Sequence, residues 1–320
     1  MVPARVRAPW PESADRGRSR LGGPSHTLLP VTEFDDALAL SVLDGGTSSG
    51  RLGGGWRIGG AVNGGLLMAL ATKALGDRLA AEGAPQAHGD PVVLSAYFLS
   101  AAAKGPVEAV SEVVRMGRTL STGEVSLFQD GPDGPVERLR ALGSFGDLGA
   151  MGDTVLRSPA PPDVPSPEEC LASADAPSPL RGKVPLMDRV DLRLDPRTAG
   201  WAVGSPTQEG RMRGWIRFAD GRPVDALSLL FFLDALPPVA FDLGILGWAP
   251  TLEFTGHVRA RPADGWLLVE ASTDTVTASV MEEDARIWDS TGRLVAQSRQ
   301  LAGIRLPEGA APGSPGGTPG

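Results

Sequence analysis

The 320-residue sequence has a single cysteine, Cys170, and only three histidines, which limits the chemistry it can support. One thiol cannot form an internal disulfide or a thiolate metal cluster. Cys170 lies in a proline- and serine-rich segment, where an incidental thiol is expected. The histidines, His26, His88 and His257, are too scattered in the sequence to indicate a metal site. No metal and no cofactor are therefore expected.

The sequence also lacks a basic block and a long apolar run. Its net charge of −8 gives no electrostatic support for nucleic-acid binding. No apolar segment approaches the roughly 20 residues needed to span a bilayer, so no membrane span is expected and cytoplasmic residence is the default expectation. The glycine run 53–60 contains neither G-x-G-x-x-G nor a Walker lysine. Residues 46–50 satisfy G-x-S-x-G, but no strand-to-helix turn follows them.

The most informative stretch is 56–79, WRIGGAVNGGLLMALATKALGDRL. It begins as the end of a strand, turns through glycines and continues as a run rich in Leu, Met and Ala. Asn63 is a plausible N-cap for a helix predicted over 63–82. That helix is apolar on nearly every side, which is typical of a buried helix. Gly64 and Gly65 leave its first amides open, where they suit an oxygen gaining negative charge. Close packing around a buried helix is the alternative reason for the glycines.

A strand–helix–meander unit occurs twice, which is the strongest organisational signal in the sequence. In the first unit 33–43 is predicted as a strand, although 35–40 also fits a helix; 45–55 is predicted as a flexible connection and 52–58 as a strand. Strands are predicted after the helix at 91–100, 106–117, 121–129 and 136–146. The second unit has strands at 190–195 and 212–221, a helix at 224–238, and strands within 251–260, 266–289 and 293–304. In this alignment Trp215 corresponds to Trp56. Two such units are expected to join their sheets edge to edge.

Composition sets the predicted domain boundaries. Residues 1–28 are predicted to be a disordered arm and 307–320 a disordered tail, because both are rich in Pro, Gly, Ser or Arg. The first repeat is predicted at 29–149 and the second at 186–306. A Pro/Ser-rich linker, 150–185, is predicted between them.

Three segments together resemble a known family: GGWRIGGAVNGGLL, AYFLSAAAKGPVEAVSEVVRMGRTLST and TDTVTASVMEEDARIWDSTGRLVAQSRQ. They are similar to the TesB-like acyl-CoA thioesterases. The resemblance implies an α+β fold of two tandem hotdog units, each an antiparallel sheet wrapped around a central helix. It also implies hydrolysis of an acyl-CoA substrate and makes a homo-oligomer of such protomers possible.

The resemblance further implies a catalytic set of Asp234, Thr251 and Gln300, which orient a hydrolytic water. Gln297 lies close to Gln300, but the spacing from 294–296 favours Gln300. The residues themselves support part of this set. Asp234 is the one acidic residue of the apolar segment 229–238 and lies near the C-terminal end of the predicted helix, where the helix dipole and apolar neighbours raise the pKa of a carboxyl group. A frayed, solvent-facing helix end is the alternative for Asp234.

Asn63, Gly64 and Gly65 are the predicted oxyanion and substrate-binding residues, provided that the two repeats share one site. A second interpretation is an acyl-CoA- or acyl-carrier-binding protein that kept the fold without catalysis. A hydratase of the same fold would need an Asp and a His after the helix entrance, and residues 56–70 supply neither.

Overall fold

The computed structural model describes residues 32–152, 154–175 and 183–305. The predicted arm at 1–28 and the predicted tail at 307–320 lie outside these described residues. None of the described helices is long and apolar enough to cross a membrane.

The first half of the described chain places one long helix between short and long strands. Its elements are α1 (Glu33–Ala37), β1 (Ser41–Asp44), β2 (Thr47–Leu52), β3 (Arg57–Ile58), β4 (Ala61–Val62), α2 (Gly64–Ala81), β5 (Asp90–Phe98), β6 (Gly105–Met116), β7 (Ser121–Gly131) and β8 (Gly134–Gly146). Along parts of β6 and β8, buried residues alternate with more exposed ones, as in a sheet with one buried face.

The second half repeats this order with a shorter helix. Its elements are β9 (Leu171–Ala172), β10 (Val190–Leu194), β11 (Arg211–Phe218), α3 (Ala226–Phe232), β12 (Thr251–Val258), β13 (Leu267–Ser272), β14 (Val276–Thr277), β15 (Val280–Trp288) and β16 (Leu294–Gly303). β9 comes from the segment predicted as linker and pairs with β10.

All of these strands except β3 and β4 form one 14-stranded antiparallel sheet. The order is β1-β2-β6-β7-β8-β5-β12-β16-β15-β13-β11-β10-β9, and β14 pairs with β15. The two halves meet at β5 and β12, where Ser95 is opposite Thr255. The structure therefore confirms two tandem hotdog units, and their sheets join edge to edge.

The two helices pack against strands of this sheet and against each other. α2 is buried along almost its whole length, from Gly65 to Leu79. Its approach to α3 is close: a Cβ at Gly65 would lie 2.5 Å from the Phe231 carbonyl oxygen. Any side chain at position 65 would push the helices apart, so the backbone contact between the two repeats depends on this glycine.

An aromatic cluster joins α1 to the second repeat. The Phe34 ring lies 4.8 Å from Phe218, 5.4 Å from Phe231 and 5.8 Å from Trp56, measured between ring centroids. Phe34 is fully buried. The first helix of the described residues thus packs into the core of the opposite repeat.

Four local expectations were wrong. The strand predicted at 52–58 does not form as one strand, because Gly54–Trp56 make a 3₁₀ turn between β2 and β3. Residues 47–52 form β2, which pairs with β6, although 45–55 was expected to be a flexible connection. α3 ends at Phe232 with Leu233 as C-cap, well before 238, because Asp234 onwards turns to meet α2. Trp215 does not correspond to Trp56: Trp56 packs in the core, whereas the Trp215 indole donates to the Pro165 carbonyl oxygen from a strand.

Candidate functional site

Asp234 lies just past the end of α3 and contacts the beginning of α2. Its Oδ2 accepts a hydrogen bond from the Gly65 backbone N–H at 2.8 Å and another from the Asn63 Nδ2 at 3.2 Å. The same Asn63 Nδ2 donates to the Asp234 carbonyl oxygen at 2.9 Å. The central helix of one repeat therefore fixes the carboxylate supplied by the other.

The residues at the start of α2 allow this close contact with Asp234. Asn63 is the N-cap, and its Oδ1 accepts the Leu66 N–H at 3.0 Å, so the two ends of its amide hold different partners. At Gly64 a Cβ would lie 2.9 Å from the Asp234 Oδ2 and 3.0 Å from the Phe98 ring. Both glycines are thus required for the close approach of Asp234 and of α3.

The pKa of Asp234 is raised to about 7. Burial is the main cause, because it disfavours the charged form. The hydrogen bond from Gly65 and the amide of Asn63 act in the opposite direction, and the nearby charge of Glu283 raises the pKa further. The sequence predicted a raised pKa for Asp234, because the carboxyl group lies near the negative, C-terminal end of its own helix. The structure adds an opposing effect: the positive, N-terminal end of α2 lies next to Asp234 and stabilises its charged form.

Thr251 and Gln300 form the second part of the site. Thr251 is the first residue of β12, and its Oγ1 donates to the Gln300 Oε1 at 2.7 Å. Gln300 lies on the buried face of β16 and is 7% exposed, whereas Gln297 lies on the outer face. Of the two glutamines, the structure brings Gln300 to Thr251.

Glu283, on β15, is a buried acid that the sequence analysis missed. Its Oε1 accepts the Gln300 Nε2 at 2.9 Å, and its Oε2 accepts the Val239 N–H at 3.0 Å. Burial raises the pKa of this carboxyl group, while its two hydrogen bonds lower it.

The alternation of inward- and outward-facing residues along β15 would have identified Glu283. Met281, Ala285 and Ile287 alternate along the buried face of the strand, and Glu283 is the charged residue in that series. A charge on an apolar face costs free energy unless it has partners, so it marks a site.

The structure thus brings the candidates together in two hydrogen-bonded groups. Asp234 is hydrogen-bonded to Asn63 and Gly65 and lies close to Gly64, and Thr251 is hydrogen-bonded to Gln300. Glu283 accepts a hydrogen bond from Gln300 of the second group, and its charge raises the pKa of Asp234 in the first. Such a combination can take a proton from a water molecule and hold that water in one direction.

Comparison with known sequences follows the division into repeats. Residues 52–146 match the model of an acyl-CoA thioesterase N-terminal domain, and residues 167–304 match that of an acyl-CoA thioesterase C-terminal domain. An uncharacterized protein of Mycobacterium tuberculosis is 33% identical over 288 residues, covering 84% of this chain and 97% of the relative. A thioesterase-like protein, TwmA, of Talaromyces wortmannii is 24% identical and covers 85% of this chain and 91% of its own length.

Solved structures show the same architecture. A thioesterase II candidate of Thermobifida fusca superposes with a TM-score of 0.76 at 29% identity, covering 87% of this chain and 99% of its own. A hot dog fold protein of unknown function from Alicyclobacillus acidocaldarius has a TM-score of 0.73 at 25% identity, covering 86% and 99%. A tesB protein of Mycobacterium avium subspecies paratuberculosis, at 21% identity and TM-score 0.65, covers 86% and 100% and shares the fold.

Proposed function

Because this chain belongs to the TesB-like acyl-CoA thioesterase family, we propose that it hydrolyses an acyl-CoA thioester with a water molecule held by Asp234, Thr251 and Gln300. The observation that carries the proposal is the carboxylate of Asp234. It is fixed by two donors from the start of α2, and its raised pKa of about 7 makes it an effective proton acceptor near neutral pH.

In the first step the water attacks the thioester carbonyl carbon while Asp234 takes one of its protons. Thr251 and Gln300 fix the position of the water oxygen. General-base catalysis of this kind contributes on the order of 10²–10⁴ in rate. A carbon–oxygen bond forms, and the carbonyl oxygen becomes negatively charged in the tetrahedral intermediate.

The start of α2 is the proposed binding site for that oxygen. Asn63 and Gly65 already donate to Asp234, so their part is to orient the base next to the bound thioester. The Gly64 N–H is the first amide of α2 and has no acceptor inside the helix. We assign it as the donor to the oxyanion, where one strong donor is worth about 3–4 kcal/mol.

In the last step the intermediate collapses and the carbon–sulfur bond breaks. The proton held by Asp234 passes to the departing thiolate of CoA. The products are the free acid and the CoA thiol, and Asp234 is again a carboxylate. Each turnover therefore consumes one water.

Thiol release from a panel of acyl-CoAs tests the proposal. The wild type is expected to release CoA thiol, and Asp234→Asn is expected to lose on the order of 10²–10⁴ in kcat. Asp284→Asn is the matched control, because Asp284 pairs with Arg299 on the opposite face of the same sheet. A wild type that releases no thiol, but melts at a higher temperature with acyl-CoA, would support a binding protein instead.

A further inference from the structure

We propose that Glu283 is a positioning residue for this hydrolysis, because it fixes the amide of Gln300 and thereby the direction of the Thr251 hydroxyl. The inference rests on the proposed function and assigns a role to the buried acid that the reaction itself does not use.

The hydrogen bonds around Glu283 form one directed series. As a carboxylate, Glu283 has acceptors and no donor. Its Oε1, 2.9 Å from the Gln300 side chain, therefore requires the NH₂ end of that amide. The carbonyl end of Gln300 must then face Thr251, whose hydroxyl donates to it at 2.7 Å.

This arrangement determines how a water can bind. With its only proton given to Gln300, the Thr251 hydroxyl has lone pairs alone to offer. A water in contact with it must donate one proton to Thr251. Its other proton is then free for Asp234, and its lone pair is free for the thioester carbon. Each group in the series Glu283, Gln300, Thr251 and water thus sets the direction of the next hydrogen bond.

Glu283 also holds the segment that carries the base. Its Oε2 accepts the N–H of Val239, five residues after Asp234. The segment between α3 and this bond is therefore fixed at both ends, by Asn63 near Asp234 and by Glu283 at Val239. Fixing both ends limits movement of the carboxylate relative to the water, and a displacement of 1 Å can cost about 100-fold in rate.

The free-energy cost of burying Glu283 near Asp234 indicates a functional reason for an acid at this position. Two carboxyl groups close together in a buried site disfavour each other's ionisation. The Asn63 amide and the Gly65 N–H, which face Asp234 from the start of α2, are uncharged, whereas the charge of Glu283 on β15 raises the pKa of Asp234. An apolar residue at 283 would avoid this repulsion, but it would leave the donors of Gln300 and Val239 without acceptors.

Glu283→Gln removes the charge and the acceptor-only character at nearly constant volume. We expect kcat to fall about 10- to 100-fold with KM little changed, because the water and not the substrate loses its orientation. The acid limb of the pH–rate profile should move to lower pH, since the negative neighbour of Asp234 is gone. Asp284→Asn, on the outer face of the same strand, should stay within about twofold of wild type.

The exchange variant Glu283→Gln/Gln300→Glu distinguishes positioning from packing. In this variant the amide now at position 283 can accept from the Val239 N–H and donate to the carboxylate now at position 300. That carboxylate can in turn accept the hydroxyl of Thr251, so the direction of the Thr251 proton is kept. We expect kcat of the exchange variant to be about tenfold higher than that of the less active of the two single variants, Glu283→Gln and Gln300→Glu.

An unchanged kcat and pH profile in Glu283→Gln would overturn the inference while the wild type still hydrolyses substrate. If Glu283→Gln does not fold, the exchange variant decides, compared with Gln300→Glu: recovery supports the positioning role, and a folded exchange variant with no recovery refutes it. Absence of hydrolysis by wild type would instead contradict the proposed function.

Discussion

Replacing Asp234 with asparagine should stabilise the folded protein in alkaline solution, although the same substitution should inactivate the enzyme. The folded protein holds the pKa of Asp234 at about 7, against an ordinary value of 3.8. Below pH 3.8 the group is protonated in both states and costs nothing. As the pH rises above 3.8 the unfolded chain releases its proton first, so wild-type stability falls until the folded pKa is passed.

The size of this effect follows from the two pKa values. A shift of about three units corresponds to about 4 kcal/mol once both states are ionised. Between about pH 5 and pH 8.5 the wild type should lose about 2–3 kcal/mol through this group. Asparagine keeps an oxygen for the Gly65 and Asn63 donors and has no charge to bury, so Asp234→Asn should not show this loss.

Urea unfolding at about pH 5, 7 and 8.5 measures the difference directly. The free energy of unfolding of Asp234→Asn minus that of wild type should grow with pH over this range. Two parallel curves would show that the carboxylate ionises in the folded protein as easily as in the unfolded chain, and the account of a buried, basic Asp234 would then be refuted.

Three further substitutions test other parts of the structure. Asn63→Ala removes the cap of α2, so it should lower the free energy of urea unfolding by about 1–2 kcal/mol; it also removes a donor to Asp234, so the acid limb of the pH–rate profile should move to higher pH. Gly65→Ala places a Cβ against the Phe231 carbonyl and should cost about 1–3 kcal/mol in the same assay, whereas an unchanged midpoint would contradict the close helix contact. Phe34→Ala should lower stability by about 3–5 kcal/mol, measured by thermal or urea unfolding, because its ring packs among Trp56, Phe218 and Phe231; a loss below about 1 kcal/mol would contradict that packing.

Local patterns predicted the elements that depend on local interactions. Asn63 caps a buried helix at 64–81, as its position before an apolar run indicates. The strands on either side of the β5–β12 junction follow from alternating apolar residues and turn residues. β2 was missed, because its sequence TSSGRL has no apolar alternation and forms a strand only by pairing with β6.

The site depends on contacts that sequence patterns do not contain. The bond between Asp234 and Gly65 joins residues 169 positions apart, and no local pattern specifies that partner. The correspondence of Trp215 with Trp56 was wrong for a related reason: the similar order of elements in the two repeats does not show whether a side chain faces the core or a neighbouring segment. Glu283 could have been identified from the sequence, since it is a charged residue on an otherwise apolar face of its strand.

The origin of the oxygen in the product tests the central claim most directly. A single turnover in H₂¹⁸O, with enzyme in excess over acyl-CoA, tests for a covalent intermediate on Asp234 that water hydrolyses at the aspartyl carbonyl carbon. If Asp234 activates a water, the released acid carries one ¹⁸O and Asp234 stays unlabelled. An unlabelled acid, with ¹⁸O in the peptide that contains Asp234, would show a covalent intermediate and contradict the account.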